Sequence, residues 1–247
     1  MGIQPGKILA ARYRADMLLG QGGMGEVWRC FDLEEKRNVA VKTLLSRHLA
    51  EPWLKRLFHA EVVAVAQLSH PGIVEIYDLL EEPDGTSLLV MGFRKGRALD
   101  GARALAPSWS FVRSILTQML EALAHAHARG VLHLDIKPPN VLVGRDEEEQ
   151  LKITIVDFGV ARVKQRGRAA ERWVDRDAVF GTPEFMAPEQ FMGQLSRFGP
   201  WTDLYAVGML AYDLCAGDLP LADLDPLEAV ARRAHEAVPA LVPRWMT

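Results

Sequence analysis

The pattern of polar and apolar positions changes character near residues 93–97. Before that point, alternating and β-branched runs predict strands over 13–22 (YRADMLLGQG), 25–33 (GEVWRCFDL) and 37–45 (RNVAVKTLL). From Trp53 to Ser69 the apolar residues Leu54, Leu57, Phe58, Val62, Val65 and Leu68 recur at helical spacing, and His70-Pro71-Gly72 ends the run. Two further runs, 73–82 and 87–93, flank the turn residues PDGT and predict an antiparallel strand pair. Beyond the change, Trp109 to Arg129 places Val112, Ile115, Leu116, Met119, Leu120 and Leu123 on one stripe, with Gly130 as the stop. Strand-like runs NVLVG and LKITIVDFG flank the acidic turn RDEEEQ, and 203–217 and 225–238 are helical again. A strand-rich part, residues 1–93, followed by a helix-rich part, residues 94–247, is an α+β organisation.

Composition narrows the function classes. With 29 basic against 32 acidic residues the chain has no cationic footprint for nucleic acid. Its two cysteines, Cys30 and Cys215, suit buried thiols in a reducing compartment. No run reaches the roughly 18 apolar residues of a membrane span, and the N-terminus lacks a signal-peptide core. A cytoplasmic protein is the expectation.

Five segments carry candidate chemistry. In LLGQGGMGEV, Gly20, Gly22 and Gly25 fall as GxGxxG, where missing side chains let backbone N–H groups approach a phosphate. The run that follows reads as a strand, so the dinucleotide fold, which needs a helix there, is excluded. Lys42 ends the apolar strand NVAVK, and Glu61 shares the helix side of Val65 and Leu68. An inward carboxylate needs a cation, and Lys42 is the candidate. HLDIKPPN sets Asp135, Lys137 and Asn140 in an apolar frame with two prolines no central strand would accept. VDFG brings Asp157 after an apolar run, and GTPEFMAPEQ spans residues 181–190.

Taken in order, these segments resemble the protein kinase signature set, and GQGGMGEVW, HPGIV and GTPEFMAPEQ look most like the bacterial eukaryotic-like (Hanks-type) Ser/Thr kinases. The resemblance implies a bilobal α+β fold. Residues 1–93 would form an ATP-binding lobe with the Gly-rich loop and one helix, and 94–247 a helical lobe with the catalytic loop and activation segment. It implies that Lys42, paired with Glu61, contacts the α- and β-phosphates, and that Gly20, Gly22 and Gly25 cover them. Asp157 and Asn140 would hold Mg²⁺ (or Mn²⁺), Asp135 would take the acceptor proton, and Lys137 would approach the γ-phosphate. Leu19, Val27, Ala40, Met91 and Leu142 would enclose adenine, with Met91 as gatekeeper and Gly92, Phe93 and Arg94 as hinge. Thr182 would line the acceptor pocket, and the lysine of DIKPPN points to Ser/Thr rather than Tyr acceptors on a protein substrate. The alternatives are a pseudokinase or nucleotide-binding scaffold with little transfer, and a small-molecule kinase, which would lack the GTPEFMAPEQ segment. Substrate identity and oligomeric state are not legible in the chain.

Three departures stand out. Leu134 occupies the arginine position of His-Arg-Asp, and residues 160–180 contain no Ser, Thr or Tyr. The phosphate acceptor and its arginine receptor are absent together, so activity independent of activation-loop phosphorylation is expected. Gly92 stands where the family's hinge usually has glutamate. The helical part looks truncated, the final helices missing, with Glu189 deprived of the arginine the family sets against it. Of the histidines, His133 is expected to support Phe158, and His125 and His127, two apart on a helix, are not expected to share a metal.

Overall fold

The alternating runs of the first part become β1 (Ile8–Leu9), β2 (Tyr13–Gly22), β3 (Gly25–Asp32), β4 (Arg37–Leu44), β5 (Ile76–Glu81) and β6 (Ser87–Gly92). They pair antiparallel in the order β1-β2-β3-β4-β6-β5. In this computed structural model, which describes residues 3–22, 25–44, 52–102, 108–158, 183–236, 239–241 and 243, the chain divides into two units. Residues 1–69 and 74–95 form the first; residues 70–73 and 96–247 form the second.

In the first unit the period-2 pattern sorts side chains onto two faces. One face buries Tyr13, Ala15, Trp28, Cys30, Val39, Val41, Leu88 and Val90 together with Leu9. Each valine or leucine among them contributes about 1.5–3 kcal/mol when fully buried, which makes a one-residue register slip prohibitive. Helix α1 (Pro52–Ala66) buries Val62 and Val65, and Leu68 follows it into the core. The expected strand 73–82 starts later, at Ile76, because Ile73 belongs to the second unit and forms a parallel bridge with Ile155 inside it. Gly72 O accepts the Ile155 N–H at 2.8 Å beside it. The two-residue strand β1 was too short to carry a periodic signal.

The second unit holds a three-stranded sheet of β7 (Arg97–Ala98), β8 (Val141–Arg145) and β9 (Leu151–Ile155). Its helices are α2 (Leu99–Ala102), α3 (Trp109–His127), α4 (Pro188–Phe191), α5 (Pro200–Ala216) and α6 (Pro226–Arg233). Ser108 caps α3 by accepting the Phe111 N–H at 3.3 Å. Gly130 closes it in the left-handed region at φ +74°. The Gly130 N–H bonds His127 O at 3.0 Å and the Val131 N–H bonds Ala126 O at 3.1 Å, a Schellman ending. Val112, Ile115, Met119 and Leu123 are buried as the stripe requires, whereas Leu120, placed on it by the sequence, is exposed. Position 120 lies at the stripe's edge, and both α5 and β9 pack against α3. Gln118 ties α3 to the small sheet, donating to Leu151 O at 3.1 Å and accepting from the Ile153 N–H at 3.2 Å. Cys30 and Cys215 are buried free thiols, and burial pushes the Cys30 pKa up to about 12.

Candidate active site

In the first unit, sheet register brings the predicted nucleotide residues together. Directly paired residues share a face, so Gly20↔Val27, Val27↔Lys42 and Lys42↔Leu89 make one row across β2, β3, β4 and β6. Ala40↔Met91 makes the next row. This is the face opposite the Trp28–Val41–Val90 core. Leu19 falls at a register irregularity between Leu18 and Gly20 and is exposed. The hairpin turn closes with Gly22 opposite Gly25. Gly25 has φ +150°, and a Cβ there would lie 1.8 Å from Thr43 O, so packing demands a glycine. Gly20 differs: a Cβ would meet nothing within 4 Å.

Gly92, the expected hinge residue, donates its N–H to Glu75 O at 2.8 Å. A Cβ there would approach the Tyr77 hydroxyl to 3.3 Å. Tyr77 is itself held by Arg37 over its ring at 4.0 Å and by a 3.1 Å bond to Glu75. A larger residue at this position would have to displace the Tyr77 hydroxyl by a few tenths of an ångström. Phe93 is half-buried beyond β6.

In the second unit the catalytic-loop residues converge. Lys137 Nζ lies 2.9 Å from Asp135 Oδ2, and Asn140 Nδ2 donates to the same oxygen at 3.0 Å and to Asp135 O at 2.8 Å. Pro138–Asn140 forms a 3-10 turn, which the two prolines favour by presetting φ. The Val156 N–H bonds Asn140 O at 2.9 Å, so Asp157 follows directly beside Asn140, with Asp157 at φ +58°. Leu142 sits next along β8, opposite Ala98 and Thr154. His133 packs on Phe158 with ring centroids 4.6 Å apart and the rings tilted by 46°. His133 Nδ1 accepts the Asp135 N–H at 3.2 Å and Nε2–H donates to Val156 O at 3.1 Å, which assigns the neutral ring. Burial holds its pKa below the usual histidine value.

Sequence reasoning missed the anchor of this loop. Asp203 of α5, fully buried, accepts the His133 N–H at 2.9 Å, the Leu134 N–H at 2.7 Å and His127 Nε2–H at 2.7 Å. The available signal was an aspartate inside the apolar run WTDLYAVGML, where a buried charge requires several donors. Gln190 was likewise missed: its Nε2 donates to Leu134 O at 2.9 Å. Glu189, expected to stand without the family's arginine, is bonded by Thr202. The Thr202 hydroxyl donates to its Oε1 at 2.7 Å and accepts the Gly199 N–H at 3.1 Å. Beside Lys137 lies a groove of about 530 Å³ whose wall carries Asp100, Glu184, Asp213 and Asp218. Thr182 lies outside the described residues, as do the Glu61 side chain and the segment 160–180.

A sequence profile described as the protein kinase domain matches residues 13–243. The chain belongs to the protein kinase domain family. It is 34% identical over 219 residues to the serine/threonine-protein kinase pkn3 of Myxococcus xanthus, covering 87% of this chain and 39% of that protein. It is 34% identical over 249 residues to PknA of Mycobacterium tuberculosis, covering 98% and 56% respectively. The chain thus spans well under two thirds of the length of these relatives. The crystal structure of the PknI kinase domain of Mycobacterium tuberculosis, a double mutant, superposes with a TM-score of 0.69 at 27% identity, covering 92% of this chain and 81% of that one. This kinase domain is similar to those of bacterial Hanks-type kinases, with the antiparallel N-terminal sheet and helical second part of that fold. No helix among its described residues is long and apolar enough to cross a membrane.

Proposed function

We propose that this domain transfers the γ-phosphate of ATP to a Ser or Thr hydroxyl of a protein, without requiring phosphorylation of its own activation loop. The observation that carries the reading is the Asp135 carboxylate held by Lys137 and Asn140 within 3.0 Å. A carboxylate fixed this way can accept or orient the proton of an attacking hydroxyl, and the ammonium stands ready for a phosphoryl oxygen. The printed names of the relatives support the Ser/Thr acceptor.

The donor set fits a hard divalent cation. Asp157 offers carboxylate oxygens, and Asn140, whose Nδ2 is engaged by Asp135, offers its amide oxygen. Mg²⁺ takes few protein ligands and completes its shell with water and phosphate, so two such residues suffice. When bound, the ion neutralises charge on the phosphates. The chain's own residues then divide the remaining tasks. Gly20, Gly22 and Gly25 and Lys42, on the row that register defines, would face the phosphates, with Glu61 assigned to Lys42. Val27, Ala40, Met91, Leu19, Phe93 and Leu142 would contact adenine, and Thr182 the acceptor. A reducing, cytoplasmic setting fits the two buried thiols.

Leu134 supports independence from loop phosphorylation, because its side chain cannot pair with a phosphate and its backbone is anchored by other means. Phosphoryl transfer from labelled MgATP to a generic protein substrate, using phosphatase-treated chain, tests both parts. Transfer should occur in the wild type and fall at least about 100-fold in Asp135→Asn. A pseudokinase would show nucleotide binding and the same negligible transfer in both proteins.

A further inference from the structure

Leu134 adopts the left-handed conformation at φ +61°. L side chains hold that region only where neighbours impose it. Two side chains from distant elements do so here, one at each end of the residue. Asp203 Oδ1 accepts the Leu134 N–H at 2.7 Å, and Gln190 Nε2 donates to Leu134 O at 2.9 Å. The other end of the same amide is also engaged, because Gln190 Oε1 accepts the Ala187 N–H at 3.2 Å. Gln190 therefore cannot rotate away from Leu134 without giving up both bonds. Between the loop and residues 185–190 the packing leaves a void of only about 10 Å³, enough for at most one water.

We propose that Gln190 is a positioning residue for Asp135: its neutral amide locks the Leu134 carbonyl and thereby couples the segment 183–191 to the catalytic loop. The inference rests on the function proposed above. A charge-assisted clamp on a phosphate switches with phosphorylation and weakens in salt. An amide between two backbone groups does neither, so the coupling is permanently engaged. Leu134 O is the carbonyl of the peptide bond leading into Asp135, so its orientation sets the direction from which the carboxylate leaves the loop. A displacement of about 1 Å at such a point costs on the order of 100-fold in rate.

The test uses the full chain, phosphatase-treated, in four forms: wild type, Gln190→Met, Gln190→Glu, and Gln190→Met combined with Leu134→Gly. Methionine keeps the volume and removes both bonds, while glutamate keeps the acceptor for Ala187 and loses the donor to Leu134. The expected result is a kcat lower by about 10- to 100-fold in both single variants, with KM for ATP within about twofold of wild type. Glycine takes the left-handed conformation unaided, so Leu134→Gly should restore at least about fivefold of the lost kcat. A kcat within about twofold of wild type in Gln190→Met overturns the proposal. A loss that Leu134→Gly does not recover overturns it too, since it marks a packing role. If the wild type transfers no phosphate, the function proposed above fails. Hydrogen exchange then still decides the coupling: Gln190→Met must lower protection of the 133–136 amides at least about tenfold, and unchanged protection refutes it.

Discussion

The two units position their candidate functional side chains by different physics. In the first, Val27, Ala40, Lys42 and Met91 are set by backbone ladders: once the strands pair, their order and face follow. In the second, Asp135 stands on an irregular loop with no ladder, and side chains of α4 and α5 hold its backbone. A site built by register tolerates changes at remote side chains and fails when the backbone cannot pair. A site built by side-chain bonds to a loop keeps its fold through many backbone changes, yet depends on single residues far away in the chain.

The largest expected effect breaks the second unit at its anchor. Asp203→Ala leaves the His133 and Leu134 N–H groups and His127 Nε2–H buried without an acceptor. The expected cost is about 3–5 kcal/mol, with transfer abolished. Asp203→Asn, which keeps one acceptor oxygen, should lie between it and wild type. Chemical denaturation of the three proteins measures this, and a cost below about 1 kcal/mol for the alanine would show the loop to be held by something else.

An intermediate effect probes the first unit through two glycines of one motif. Gly25→Ala drives a methyl into Thr43 O and should destabilise by about 2 kcal/mol or more. Gly20→Ala meets no atom and should leave stability within about 0.5 kcal/mol, while weakening nucleotide binding. Thermal melts with and without ATP separate the two. Equal losses for both substitutions would refute the register argument.

The smallest effect is the pH response of His133. Its pKa is depressed in the fold by burial, so the unfolded chain binds the proton more readily. Stability is therefore full above the ordinary histidine value of about 6.5 and declines as pH falls below it. Protonation would also remove the Nδ1 acceptor that Asp135 N–H uses. Melting temperature should fall between about pH 6.5 and 5 in wild type and less steeply in His133→Asn. Parallel curves for the two proteins would locate the acid sensitivity elsewhere.

Part of this architecture was legible in the chain. Long periodic runs named every major element to within a few residues, since periods of 2 and 3.6 are local properties. The spacing of Asp135, Lys137 and Asn140 identified a cluster the fold does assemble, because a 3-10 turn of two prolines is also local. The bridge that takes Ile73 away from β5 was not legible, because its partner Ile155 belongs to another strand altogether. The edge position of Leu120 depended on which helix lay against α3.

Sequence by itself thus determined the strand and helix inventory, the family and the cluster of candidate reactive groups, all of which rest on residue types at short, regular spacing. Tertiary structure alone decided what holds the catalytic loop. Asp203 and Gln190 lie 69 and 56 positions from Leu134, and only folding brings their side chains to its backbone. The physical reason is that a backbone N–H or C=O carries no mark in the sequence of which distant side chain will satisfy it once water is excluded.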